Sequence, residues 1–117
     1  MKRIYRVENK EGDGPYTSFD APFEVYYLTS KHYDELHPGP YQEGWGRISS
    51  DCLFGFKDLE QLKKWFTYDE RQILSKYGWR IAIYYTKRLV KNSNKQCIFK
   101  KENARRVTAF NLMKGKK

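Results

Sequence analysis

Thr67-Tyr68-Asp69-Glu70-Arg71-Gln72-Ile73-Leu74-Ser75-Lys76-Tyr77-Gly78-Trp79-Arg80-Ile81-Ala82-Ile83-Tyr84-Tyr85-Thr86 decides the fold, because it holds a helix with both ends marked and the strongest strand of the chain. Thr67 and Glu70 have the spacing of a capping box, in which the threonine hydroxyl takes the N3 amide and the glutamate reaches back to the cap amide. Ile73, Leu74 and Tyr77 form the buried side, and Gly78 is a natural stop because glycine accepts the left-handed conformation that ends a helix. Residues 79–86 then read as a strand. Ile81 and Ile83 share one face, and the other carries little polarity, so both faces are expected to be covered.

Upstream, Leu59, Leu62, Trp65 and Phe66 fall at i, i+3, i+6 and i+7, one side of a helix that starts near Asp58. Thr67 makes this a separate helix set at an angle to the next. Downstream, Asn92-Ser93-Asn94 is a turn, and Gln96-Cys97-Ile98-Phe99 is predicted to return as the partner of residues 79–86. The chain then leaves through one helical turn within residues 100–106, and residues 107–112 form a last strand. Nearer the start, residues 4–8 alternate as a first strand, closed by the turn Gly12-Asp13-Gly14-Pro15. Residues 23–28 are aromatic and β-branched, and Phe23, Val25 and Tyr27 share a face if this stretch is an extended strand. Thr29 or Ser30 caps a short helix through Leu36, which His37-Pro38-Gly39-Pro40 ends. Residues 41–51 show no period and read as a loop. The expectation is one α+β domain over residues 1–112, mostly antiparallel sheet with two or three short helices, and a frayed basic tail at 113–117.

At 117 residues the chain has the length of one domain, and its 3 Trp, 10 Tyr and 7 Phe can supply a core although only 39% of residues are hydrophobic. No apolar run approaches the ~20 residues that span a bilayer. The charged start Met1-Lys2-Arg3-Ile4-Tyr5-Arg6 has no apolar segment behind it, so the reading is a soluble, cytoplasmic protein without a membrane role, its Cys52 and Cys97 reduced. Charge is divided unevenly. Residues 1–60 hold 7 basic and 11 acidic side chains, whereas residues 61–117 hold 16 basic and 3 acidic ones. A basic second half suits a nucleic acid or an acidic protein surface. Lys87, Arg88, Lys91, Lys95, Lys100, Lys101, Arg105 and Arg106, near Tyr84 and Tyr85, could follow a phosphate backbone while rings stack on bases.

Other chemistries lack their patterns. The histidines at 32 and 37 and the cysteines at 52 and 97 show no metal-ligand spacing, so no metal is expected. There is no nucleophile elbow, phosphate loop, zinc finger or RNA-binding signature. Cys97 reads as core within its strand, and Cys52 would need His32 or His37 as its base to act as a nucleophile.

The order Tyr5-Arg6-Val7-Glu8, Gly14-Pro15-Tyr16, His37-Pro38-x-Pro40, Phe54-Gly55-Phe56 running into Leu59-Glu60-Gln61-Leu62-x-x-Trp65-Phe66, and Gln96-x-x-Phe99 resembles a family of small bacteriophage proteins over about residues 3–110. More distantly, the same landmarks resemble the ADP-ribosyltransferase plan. There an Arg or His lies on the first strand, an aromatic turn leads into a helix, and a carboxylate begins a late strand. This resemblance implies that Arg6 grips the diphosphate or ribose of NAD, that Phe54 or Phe56 stacks on nicotinamide, and that Gln96 holds the place of the carboxylate. A glutamine brings no negative charge to a cationic transition state, a loss of roughly 10²–10³ in rate. The site would then bind a nucleotide without efficient turnover, or use another acid such as Glu102. His37 and Tyr16 are expected at the same cleft.

Two functions follow as expectations. The first is a phage accessory protein directed at host or defence machinery through a cleft for NAD or a nucleotide-derived ligand. The second is a non-catalytic inhibitor whose basic half docks on nucleic acid or an acidic protein.

Overall fold

The computed structural model describes residues 1–16, 21–32 and 34–113. Ten regular elements follow one another: β1 (Lys2–Glu8), α1 (Phe23–Ser30), β2 (Cys52–Gly55), α2 (Leu59–Trp65), α3 (Tyr68–Lys76), β3 (Arg80–Thr86), β4 (Lys91–Asn92), β5 (Cys97–Lys100), a 3-10 turn (Lys101–Asn103) and β6 (Ala104–Asn111). They make an α+β domain of three helices and two antiparallel sheets, ordered β1-β3-β6 and β2-β5-β4.

The central stretch folds as its residues demand. Asp58 accepts from the Gln61 amide at the start of α2, and both halves of the Thr67–Glu70 capping box are present at the start of α3. Gly78 takes φ 94°, the left-handed turn that lets Trp79 leave in a new direction. As the middle strand of its sheet, β3 is covered on both sides. Ile81 joins a core with Val7, Phe56, Leu62, Phe66 and Leu74, while Ala82 and Tyr84 join a second one with Ile4, Cys97 and Phe99.

Four expectations are corrected. Residues 23–28 form helix α1, not a strand. Pro22 presets the entry and its carbonyl accepts from Val25 and Tyr26, and burial of Val25, Leu28 and Thr29 supplies a helical stripe. Tertiary burial thus overrides aromatic strand propensity. Thr29 and Ser30 end this helix, their hydroxyls donating back to the Tyr26 and Tyr27 carbonyls, and do not cap a following one. Residues 96–99 do not pair with β3, whose flanks are taken by β1 and β6. Instead β5 lies antiparallel between β2 and β4, with Phe54 opposite Ile98. The last strand also begins earlier, at Ala104, directly after the expected helical turn. Of the tail expected to fray, residues 114–117 lie outside the described residues.

The two sheets meet where β1 passes the end of β2. Tyr5 and Phe56 exchange two backbone hydrogen bonds of 2.8 Å, and the glycine beside them lets the strands close. A Cβ at Gly55 would lie 2.5 Å from Ile4 Cγ2 and 3.0 Å from the Tyr5 carbonyl oxygen. Among the described residues, no helix is long and apolar enough to cross a membrane.

Candidate functional site

A cleft of about 1420 Å³ opens along this seam. Arg6 from β1, Phe54 from β2, Phe56 after it, Gln96 before β5, Tyr16 and His37 all line it. The strands bring these six together because β1 and β2 are joined at Tyr5 and Phe56, and β5 pairs with β2.

Within the cleft their polar groups are largely engaged by the protein. Arg6 is buried; its Nε donates to Glu8 Oε2 at 3.2 Å, its Nη1 to the Phe54 carbonyl at 2.9 Å and its Nη2 to the Gly12 carbonyl at 3.3 Å. The guanidinium therefore ties the Gly12–Gly14 turn to the end of β2, and a Cβ at Gly14 would lie 3.4 Å from its Nη2. Gln96, 3% exposed, donates to the Pro38 carbonyl at 2.6 Å and to Glu43 Oε2 at 3.3 Å, holding the loop that carries His37. Phe56 is a core ring packed on Trp65 and Phe66, whereas Phe54 keeps a half-buried face. Glu102, the alternative acid, is exposed in the 3-10 turn and is not among the cleft's lining residues.

The basic residues separate. Lys95 and Lys101 line the cleft, and Lys95 donates to the Glu35 carbonyl. Lys87, Arg88, Lys91, Lys101 and Arg105 are exposed, and Lys100 is half-buried. Arg106 donates to the buried Glu8 at 2.7 Å. Neither cysteine has the setting of a thiolate. Burial pushes the Cys97 thiol up to about 12, and burial together with Asp51 raises Cys52.

A second group of side chains lines the same cleft. His32 Nε2 lies 2.7 Å from Glu70 Oε2, and His32 Nδ1 faces the Tyr16 hydroxyl. Trp65 Nε1 donates to that hydroxyl oxygen at 2.8 Å. His37 stacks on His32 with centroids 3.7 Å apart and planes 3° from parallel. Its Nδ1 is 2.7 Å from Asp34 Oδ1 and its Nε2 2.6 Å from the Trp65 carbonyl oxygen.

Proton positions follow from these partners. Asp34 and the Trp65 carbonyl can only accept, so each His37 nitrogen faces an acceptor. Its bond to Asp34 is the main reason that carboxyl is held below its usual range. His32 donates from Nε2 to Glu70, leaving Nδ1 to accept from Tyr16. That hydroxyl has its proton available because Trp65 supplies the bond its oxygen receives. Burial raises the Glu70 carboxyl, but bonds from His32 and from the Thr67 amide outweigh it and hold the group below the usual range. Burial is also the largest cause raising the Tyr16 phenol, so it stays protonated at neutral pH.

Ligand atoms of His32, His37 and Glu70 lie within 4.8 Å of one another, which makes these the candidates for holding a metal ion among the described residues. No sequence spacing signals this cluster. As arranged, the parallel rings direct their nitrogens side by side and His37 has both bonded to acceptors, so a cation would require a ring to turn. The geometry suits proton transfer. His32, Trp65 and Glu70 escape sequence reasoning because each reads first as something else: Trp65 as core, Glu70 as a helix cap, and His32 as part of a short helix expected through Leu36.

A family model described as Bacteriophage T4 Y00F protein matches residues 1–113. No curated protein and no solved structure matches the chain.

Proposed function

Because the chain belongs to the bacteriophage T4 Y00F protein family, it is a small phage protein, and we propose that it serves as an accessory factor directed at host or defence machinery, binding NAD or a nucleotide-derived ligand in its cleft with little turnover. The observation that carries this reading is the meeting of Arg6, Phe54 and Gln96, from three different parts of the chain, along one cleft. Phe54 offers a ring face for a base or nicotinamide to stack on. Three of the five guanidinium N–H donors of Arg6 are taken by Glu8, Phe54 and Gly12, which leaves two for a phosphate or ribose oxygen. Turnover of the ADP-ribosyltransferase kind is weak in this reading. Gln96 supplies no charge for a cationic sugar, and its amide is bonded to Pro38 and Glu43.

Calorimetric titration of the full chain with NAD and with ADP-ribose tests this. Both should bind, and Phe54→Ala should weaken both about tenfold or more, in line with ~1–3 kcal/mol for stacking on a base. Failure of both ligands to bind would overturn the reading.

A second reading is favoured by the outer strand β6, whose exposed Arg105 follows a 3-10 turn that begins with exposed Lys101. In it the protein is a non-catalytic inhibitor whose basic face docks on nucleic acid or an acidic protein. For duplex DNA, log affinity should fall with log salt at a slope of about −0.9 per phosphate contacted, or about −0.7 for single strands. No binding at ~50 mM salt would reject nucleic acid and leave an acidic protein as the partner.

A further inference from the structure

Tyr16, His32 and Glu70 stand in the relation of hydroxyl, base and orienting carboxylate. The base is fixed in one tautomer, since Glu70 takes the Nε2 proton and leaves the Nδ1 lone pair toward the hydroxyl. Glu70 is itself held, because its other oxygen accepts from the Thr67 amide at 3.0 Å in the capping box of α3. The groups facing His32 are Glu70, the Tyr16 hydroxyl and the His37 ring, with the Asp34 carboxylate on the far side of His37. Trp65 Nε1 is placed to stabilise negative charge that grows on the Tyr16 oxygen. Tyr16 lines the cleft with about half of its surface exposed, while its hydroxyl sits between His32 and Trp65.

We propose that Tyr16 is a base-assisted nucleophile toward activated acyl groups bound in this cleft. The step is an acyl transfer. Tyr16 Oη attacks the carbonyl carbon, and the Oη proton passes to His32 Nδ1. The bond from carbon to the leaving aryloxide breaks with its electron pair, giving a tyrosyl ester. The imidazolium of His32, balanced by Glu70, then returns its proton to water. No oxidant or metal is required. The high intrinsic pKa of a hydroxyl is no obstacle where the proton leaves in the same step. The proposal is independent of whether the cleft also takes a nucleotide.

The test uses p-nitrophenyl acetate with the full chain, followed by peptide mapping. Tyr41, which is 75% exposed, serves as a reference within the same molecule. Tyr16 should acetylate roughly ten times faster than Tyr41 or more, since a positioned base contributes about 10²–10⁴ and partial burial takes some of this back. In His32→Gln the ratio should fall to about one, and Glu70→Gln should lower it, while Tyr16→Phe should remove the adduct. A wild-type ratio of one or less would overturn the proposal whatever the variants do. So would a ratio unchanged in a His32→Gln protein that keeps the wild-type circular dichroism spectrum.

Discussion

Glu8, buried behind Arg6, shows how few polar residues beside this cleft stand alone. Its enclosed carboxylate accepts from Arg6 Nε, from Arg106 Nε and from the Tyr84 hydroxyl at 2.8 Å. Burial, reinforced by Glu8, pushes that phenol up to about 12, so it remains a donor. Removing Glu8 would leave Arg6 charged and buried beside an apolar core. Glu8→Leu is expected to cost about 3–5 kcal/mol, read as a fall in the urea midpoint, and Arg6→Met/Glu8→Leu together less than Glu8→Leu alone. A double variant no more stable than the single one would show that the guanidinium tolerates isolation. The pairing of Arg6 with a carboxylate is among the roles its sequence position allows. That the carboxylate would be Glu8, two residues along the same strand face, emerges only when β3 brings Tyr84 across from β1.

At the level of elements, α3 carries two duties on one residue. Thr67→Ala should cost about 1 kcal/mol by removing one half of the capping box, measured by chemical unfolding. Glu70 also holds His32, and its carboxyl lies below the usual range in the folded protein. The unfolded chain therefore binds this proton more readily. The stabilisation is complete above the unfolded pKa of about 4.3 and is lost as pH falls through the lower folded value. Between pH 6 and 3 the melting temperature of the wild type should drop more steeply than that of Glu70→Gln; parallel curves would contradict the assignment. Helices α2 and α3 and strand β3 are legible in the sequence because local chemistry and burial agree there: Asp58 and Thr67 cap, Gly78 stops, and Ile81 is core. Residues 23–28 mislead because Phe23, Tyr26 and Tyr27, which suggest a strand, point outward from a helix held by Val25 and Leu28. The partner of residues 96–99 is misread because strand pairing across a turn is a local guess, whereas here β1 and β6, from the two ends of the chain, occupy both flanks of β3.

For the whole molecule, the seam between the sheets is what makes a cleft. Gly55→Ala would press a methyl group onto Ile4 and the Tyr5 carbonyl. An overpacking cost of ~1–3 kcal/mol is expected, with hydrogen exchange of the Tyr5 and Phe56 amides speeding up more than that of β3. Arg6, Phe54 and Gln96 line one cleft through the β1–β2 junction and the β2–β5 pairing, neither of which sequence spacing fixes. The His32–His37–Glu70 cluster is not legible either, because it joins a loop to a helix 38 residues away through side chains with no shared spacing. The most direct measurement is an amide NMR titration of the full chain with NAD. Saturable shifts confined to residues 12–16, 52–56 and 94–96 are the expected result. An unchanged spectrum at millimolar NAD, or shifts gathered instead on residues 104–107 of the outer strand, would contradict a nucleotide cleft at the seam.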